Sequence, residues 1–401
     1  MSTRQSKWKL CFLRNGFGRL VICAIFVCFI IVTATYSMAQ TLTPAPGSPF
    51  STGTRPDGVA VSPDGNFLFV ANNTDNTISV FSISADGALS DISGSPFVFE
   101  GGAPYHLTTN RAGNRLFVSG SSGFESFNIA PDGSLSPTHV YATGFLYFEG
   151  LTVSPDDKYL FVSERTNNWV WVMNIEGSNF NTIGFFPTGG TWSCDVSINL
   201  AGTYLFVSNY QSNNVTVFSI AGNGVLSQIA GSPFATGPLA PGGMAINPAG
   251  TLLFLCHIWS DEITVFSIAG NGVLSQIAGS PFACDDGPNG VAVSKSGDFL
   301  FVSNFNDNSI SMYRINVDGS IEAVGGSPFA SGGTAPTNIK TSSTANLLFT
   351  SLRDSDQVAS FSFTEHPSVG IPTLTEWGMI ILSLLLAGTA IFVLRRRLQT
   401  T

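Results

Sequence analysis

GVAVSPDGNFLFVANNTDNTISVFSISADGALSDISGSPF, residues 58–97, packs four apolar segments and their turns into a single short unit. Gly58-Val59-Ala60-Val61 reads as a first strand. Ser62-Pro63-Asp64-Gly65 is a turn whose glycine is available for positive φ. Residues 67–71 form a second strand, and the polar run 72–76 is a loop. Residues 77–83 alternate Ile78, Val80, Phe81 and Ile83 as a third strand, and Asp86-Gly87 is a hairpin turn. Residues 89–92 make a fourth strand, followed by Gly94-Ser95-Pro96-Phe97. The buried anchor of this unit recurs as Phe69, Phe117, Phe161, Phe206, Phe254, Phe301 and Phe349, at spacings of 44 to 48. Four short strands repeated at that period are the signature of a β-propeller blade. The fold expected is therefore all-β, a seven-bladed propeller over residues 40–364. Its inner strands are apolar on both faces because each blade is covered on both sides.

The seventh blade stops after residues 358–363 and lacks a fourth strand. The missing piece lies at the other end of the chain: LTPAPGSPF, residues 42–50, matches LSQIAGSPF, residues 226–234. An N-terminal strand is expected to close the last blade and remove its free edge. Residues 216–235 recur unchanged at 264–283. They cover the outer strands, so the identity marks duplicated scaffold and not a site.

Charge divides the chain into three parts. The full sequence carries a net charge of −9, yet residues 1–39 hold five basic and no acidic side chains, and residues 371–401 hold three Arg and one Glu. Residues 40–370 keep 9 basic and 25 acidic groups, a net of −16. That balance disfavours a nucleic-acid partner, which needs a basic face. The 33 Phe argue against disorder. Residues 1–39 read as a secretory signal for the Sec translocon: a basic region, an apolar run over 20–32, and Ser37-Met38-Ala39 as a cleavage site. An uncleaved signal anchor is the alternative. At the C-terminus, after a linker at 365–370, Ile371-Pro372-Thr373-Leu374, Glu376 and Trp377 precede an apolar run. That run is long enough for one C-terminal transmembrane helix, and Arg395-Arg396-Arg397 follow it.

This tail, residues 371–397, closely resembles the IPTL-CTERM sorting signal of Gram-negative bacteria. The resemblance implies recognition by an exosortase-type transpeptidase, a membrane-held intermediate, and delivery to the cell surface or extracellular matrix; a plain membrane anchor is the competing reading. The repeats, with their Leu-Phe-Val-Ser-Asn strands and Pro-Asp-Gly turns, resemble YVTN-type propellers and the seven-bladed lactonase-like family. That family includes bacterial 6-phosphogluconolactonase and muconate cycloisomerase relatives. No Trp-Asp or Gly-His pairs recur at blade spacing, which disfavours WD40.

The repeat also serves as a ruler for the loop end of the central channel. Departures from it cluster at Tyr105, His106, Glu149, Glu164, Arg165, Asp195 and His257, all expected at one end. A lactonase-like enzyme needs a general acid or base and a cation for the developing oxyanion. His106, Glu149 and Arg165 are the catalytic candidates, with Arg55 and Arg353 as further cations. Tyr105, Glu164, Asp195 and His257 are ligand-binding candidates. The Asn- and Asp-rich loops at 72–76 and 304–308 raise calcium binding, but such residues favour turns through their own side-chain hydrogen bonds. No metal-ligand spacing appears, and no cofactor is expected. Cys194, Cys256 and Cys284 remain after the signal, with no pairing deducible. These features favour a binding or structural protein of the envelope or matrix. The competing class is a secreted lactonase-like hydrolase or cycloisomerase acting on a small sugar lactone or carboxylate.

Overall fold

In a computed structural model the described residues are 40–365, apart from 143, 145, 178 and 179. The signal segment, the transmembrane run and the sorting motif lie outside them. Among the described residues there is no α-helix, only strands and one 3-10 turn at Arg353–Ser355.

Each repeat forms one antiparallel sheet. In the first blade Pro56–Val61, Phe67–Asn72 and Thr77–Ile83 pair in order, and the outer edge is split into Leu89–Asp91 and Phe97–Val98. The split comes from the Gly-Ser-Pro-Phe segment. Ser95 Oγ accepts the amide hydrogen of Val80 at 2.9 Å, filling the gap that the outer strand leaves. Ser232, Ser280 and Ser327 do the same for Val217, Val265 and Met312. Blades 2 and 3 lack the segment, and their outer strands run unbroken over Leu135–Ala142 and Asn181–Pro187.

The ring closes as the sequence implies. Leu42–Pro44 pairs antiparallel with Gln357–Phe363, with Leu42 opposite Phe363, and Phe50–Ser51 pairs with the same strand, Phe50 opposite Val358. Ser48 Oγ accepts from the Ser360 amide at 2.9 Å, repeating the arrangement of the other blades. Leu42 and Ala45 are buried.

Seven hydrophobic clusters fill the seven interfaces between neighbouring blades, the one joining blade 7 to blade 1 included. All seven anchor phenylalanines are fully buried. A polar ring runs inside this apolar one. At the penultimate residue of the second strand, a hydroxyl or thiol donates to a carbonyl of the next blade's inner strand. Ser163 reaches Cys194 O at 2.5 Å, Ser208 reaches Gly242 O at 3.1 Å, and Cys256 Sγ reaches Asn289 O at 2.9 Å. Ser303 reaches Thr337 O and Ser351 reaches Asp57 O, both at 2.5 Å, while Ser119 reaches Glu149 O. Blade 1 has Ala71 at this position. These bonds satisfy buried carbonyls and fix the level at which the inner strands present their side chains to the channel.

Candidate active site at the channel mouth

The inner strands converge on a central channel. A cavity of about 330 Å³ there is lined by His106 and Asp195 and, further along the strands, by Thr108, Thr152, Ser197 and Lys340. Two consecutive positions of the inner strand carry the chemistry. The first holds Asp57, Tyr105, Glu149, Cys194, Gly242, Asn289 and Thr337 around the ring; the second holds Gly58, His106, Gly150, Asp195, Gly243, Gly290 and Asn338.

The second position shows why functional side chains sit where they do. A Cβ on Gly58 would lie 2.4 Å from Tyr105 O and 3.0 Å from the His106 Cα. A Cβ on Gly150 would lie 2.8 Å from the Asp195 Cα. On Gly290 it would lie 3.1 Å from the Asn338 Cα. Each side chain that departs from glycine is thus seated beside a glycine of the preceding blade, which leaves the backbone room to approach.

Glu149 and Arg165 are brought together: Arg165 Nη1 lies 2.6 Å from Glu149 Oε1. The guanidinium is also sandwiched between rings, 4.4 Å from the Tyr147 centroid and 4.9 Å from that of Trp192. Burial raises the Glu149 carboxyl above the usual carboxylate range, opposed by Arg165 and by His106, and Asp57 adds to the rise. Burial likewise raises Asp57, opposed by Arg353, His106 and Arg55. Two carboxyls from blades 1 and 3 therefore share a low-dielectric mouth with the imidazole of blade 2, and both hold their protons more tightly than in water. Tyr105, half-buried between them, has its phenol raised by burial and then by Glu149. Asp195 points its carboxylate at the backbone, accepting from Val196 N and Met244 N, each at 2.8 Å.

Glu164 and His257 stand at the same level but are turned into the blade. Both are fully buried. Glu164 accepts from the amides of Thr166 (2.5 Å) and Asn167 (2.9 Å), and His257 Nε2 bonds Thr264 Oγ1 at 2.9 Å. The residue most often found at this position is asparagine. Asn72, Asn209 and Asn304 are likewise turned into the blade, but there the side-chain amide donates to Thr77, Asn214 and Ser309. The acidic loop residues also bind backbone: Asp75 accepts from Thr54 N at 2.6 Å and Asp307 from Asp286 N at 2.9 Å. Asp57, Tyr147, Trp192 and Lys340 belong to this end of the molecule or its channel but were not among the sequence candidates. Tyr147 and Trp192 occupy the same repeat position, directly before the inner strands of blades 3 and 4, but sequence position alone did not show that both rings flank one guanidinium. Lys340 lies within the inner strand of blade 7, at a position whose other copies are Ala60, Thr108, Thr152, Ser197, Ala245 and Ala292.

Comparison with known proteins gives two family matches. The model described as Lactonase, 7-bladed beta-propeller matches residues 27–141, 134–240 and 244–369, and the IPTL-CTERM motif matches residues 370–397. A 6-phosphogluconolactonase of Enterobacter sp. (strain 638) is 27% identical, over 45% of this chain and 72% of its own length. Among solved structures, the periplasmic gluconolactonase of Pseudomonas aeruginosa superposes with a TM-score of 0.61 at 20% identity, covering 73% of this chain and 98% of that one. Hydrazine synthase of Kuenenia stuttgartiensis gives 0.62 at 14% identity, covering 83% and 99%. At such identities the superpositions show the fold alone.

Proposed function

We propose that this chain, which belongs to the seven-bladed lactonase β-propeller family and ends in a sorting motif, is an exported hydrolase of an uncharged sugar lactone. The observation that carries this reading is the placing of Asp57, His106 and Glu149 on three neighbouring inner strands at the channel mouth, a half-buried and a buried carboxyl with raised proton affinity on either side of one imidazole. Such groups concentrate where acid–base chemistry is done. His106 takes a proton from the attacking water as the oxygen adds to the lactone carbonyl. Arg165, fixed by Glu149, faces the charge that develops on the carbonyl oxygen. The imidazolium returns its proton to the ring oxygen as the C–O bond breaks, releasing a hydroxy acid. Arg165, the cation placed to face the carbonyl oxygen, is already paired with Glu149, so an uncharged lactone suits the mouth better than a phosphorylated one.

The expected result for the purified full chain is hydrolysis of uncharged sugar lactones. His106→Ala and Glu149→Gln should each lower kcat/KM by roughly 100-fold or more. Turnover equal in parent and both variants would sink the assignment. A second reading, a binding or structural protein of the envelope or matrix, draws on the 2.6 Å Glu149–Arg165 pair, in which each group already satisfies the other. It requires the absence of turnover in the same assay.

Export through the Sec translocon and processing by an exosortase-type enzyme complete the proposal, supported by the match at residues 370–397. Replacing Pro372 and Thr373 should leave full-length protein in the inner membrane; surface display equal to the parent would contradict sorting through this motif.

A further inference from the structure

We infer that the loop face of blades 3 to 5 carries a binding track for an uncharged oligosaccharide, built on Tyr147, Arg165, Trp192, Tyr210 and Trp259. These side chains form one continuous series. Arg165 links the rings of Tyr147 and Trp192 at 4.4 and 4.9 Å. Trp192 and Tyr210 follow at 5.1 Å between centroids, and Trp259 Nε1 donates to the Tyr210 hydroxyl. Both ends are open to solvent: Tyr147 is 39% and Trp259 is 69% exposed.

Trp192 shows that the series is not incidental to packing. It occupies a left-handed backbone position, φ 60°, just ahead of the inner strand. Blades 1, 5, 6 and 7 place Arg55, Ala240, Gly287 and Ala335 there, with φ between 54° and 72°. The ring of blades accepts alanine, glycine or arginine there, so ring closure does not require the aromatic side chain, which packs on Arg165 and Tyr210 instead.

The chemistry selects the occupant. The rings of tyrosine and tryptophan offer negative faces to the C–H bonds of a sugar ring, and their polar tips offer hydrogen bonds to its hydroxyls. Glu149 neutralises the cation in the series, so the track carries no net charge. The acidic propeller around it repels polyanions. The guanidinium fills the space between Tyr147 and Trp192 that an external cation would need. What remains is a ligand that is polar, ring-shaped and uncharged.

The inference does not require turnover at the channel mouth, and its test reads binding alone. Titrating the purified full chain with cellohexaose, laminarihexaose and maltohexaose, followed by tryptophan fluorescence and calorimetry, should give a Kd below about 1 mM for at least one of them. Trp259→Ala and Trp192→Ala should each weaken that binding by about tenfold or more. Trp192→Ala installs the residue that blades 5 and 7 already carry, so the variant keeps its fold. Binding undiminished in both variants, binding of none of the three sugars, binding of only a sulfated glycan, or a track that proves to join two copies of the chain would each overturn the inference. A protein that binds a hexasaccharide through both tryptophans but hydrolyses no lactone would fail the catalytic reading alone.

Discussion

Deleting residues 40–51 from the full chain should lower its melting temperature by about 6–9 °C. Among the described residues the segment supplies the only outer strand of blade 7: Leu42 opposite Phe363, Pro44 opposite Phe361, Phe50 opposite Val358. Losing the burial of Leu42, Ala45 and Phe50 costs about 4–6 kcal/mol by transfer of apolar area and loss of packing. The deletion also strips Gln357–Phe363 of its hydrogen-bonding partner and leaves an open edge, which promotes association between molecules. Differential scanning calorimetry together with sedimentation checks both consequences. An unchanged melting temperature in a monomeric deletion variant would mean that the ring does not depend on its N-terminal strand.

Two buried ionisable groups should give the stability an opposed pair of pH slopes. Burial pushes the His257 imidazole down to about 4 from an ordinary 6.5. Between those values the unfolded chain binds a proton that the folded chain refuses, so stability falls as pH drops from 6.5 to 4. Burial pushes the Glu125 carboxyl up to about 7 from 4.5, against the Glu100 amide that donates to it at 2.9 Å. There the folded chain keeps a proton that the unfolded chain has lost, so stability falls as pH rises from 4.5 to 7. His257→Asn, which restores the residue of blades 1, 4 and 6, should remove a loss of about 2–3 kcal/mol between pH 7 and pH 4.5. Glu125→Gln should remove a loss of about 3 kcal/mol between pH 4.5 and pH 7.5. In the parent the two slopes offset each other over pH 4.5 to 6.5. Urea unfolding at pH 4.5, 6 and 7.5 should therefore show opposite tilts in the two single variants. Parallel stability curves for parent and variants would contradict the assignment.

Most of the ring was legible because every blade writes the same pattern. The third strand, Thr77–Ile83, falls where its alternation places it, and the N-terminal strand pairs where the Gly-Ser-Pro-Phe match requires. The first strand begins at Pro56, earlier than its apolar run, because Pro56 pairs with Asn72 ahead of a bulge that the hydrophobic pattern does not record. The outer strand ends at Asp91 because Ser95 takes the place of the next rung. At the channel mouth the repeat located Tyr105, His106, Glu149 and Asp195 correctly in level, since each replaces a residue at a known strand position. It could not tell which way a side chain turns. Glu164 and His257 share that level, yet they point into the blade, as the asparagines of their sister blades do. Nor could it pair Glu149 with Arg165, or bring Tyr147 and Trp192 to either side of one guanidinium. Those contacts come from the folded geometry of blades 3 and 4.

The most direct measurement is kcat/KM of the purified full chain on an uncharged sugar lactone and on its phosphorylated counterpart, side by side. Arg165 is already paired with Glu149 and residues 40–370 carry a net charge of −16, so the uncharged substrate should be favoured by roughly tenfold or more, a discrimination of about 1.4 kcal/mol. His106→Ala should lower kcat/KM on the uncharged substrate by roughly 100-fold or more. A preference for the phosphorylated lactone, or hydrolysis of neither, would contradict an uncharged-lactone hydrolase at the channel mouth.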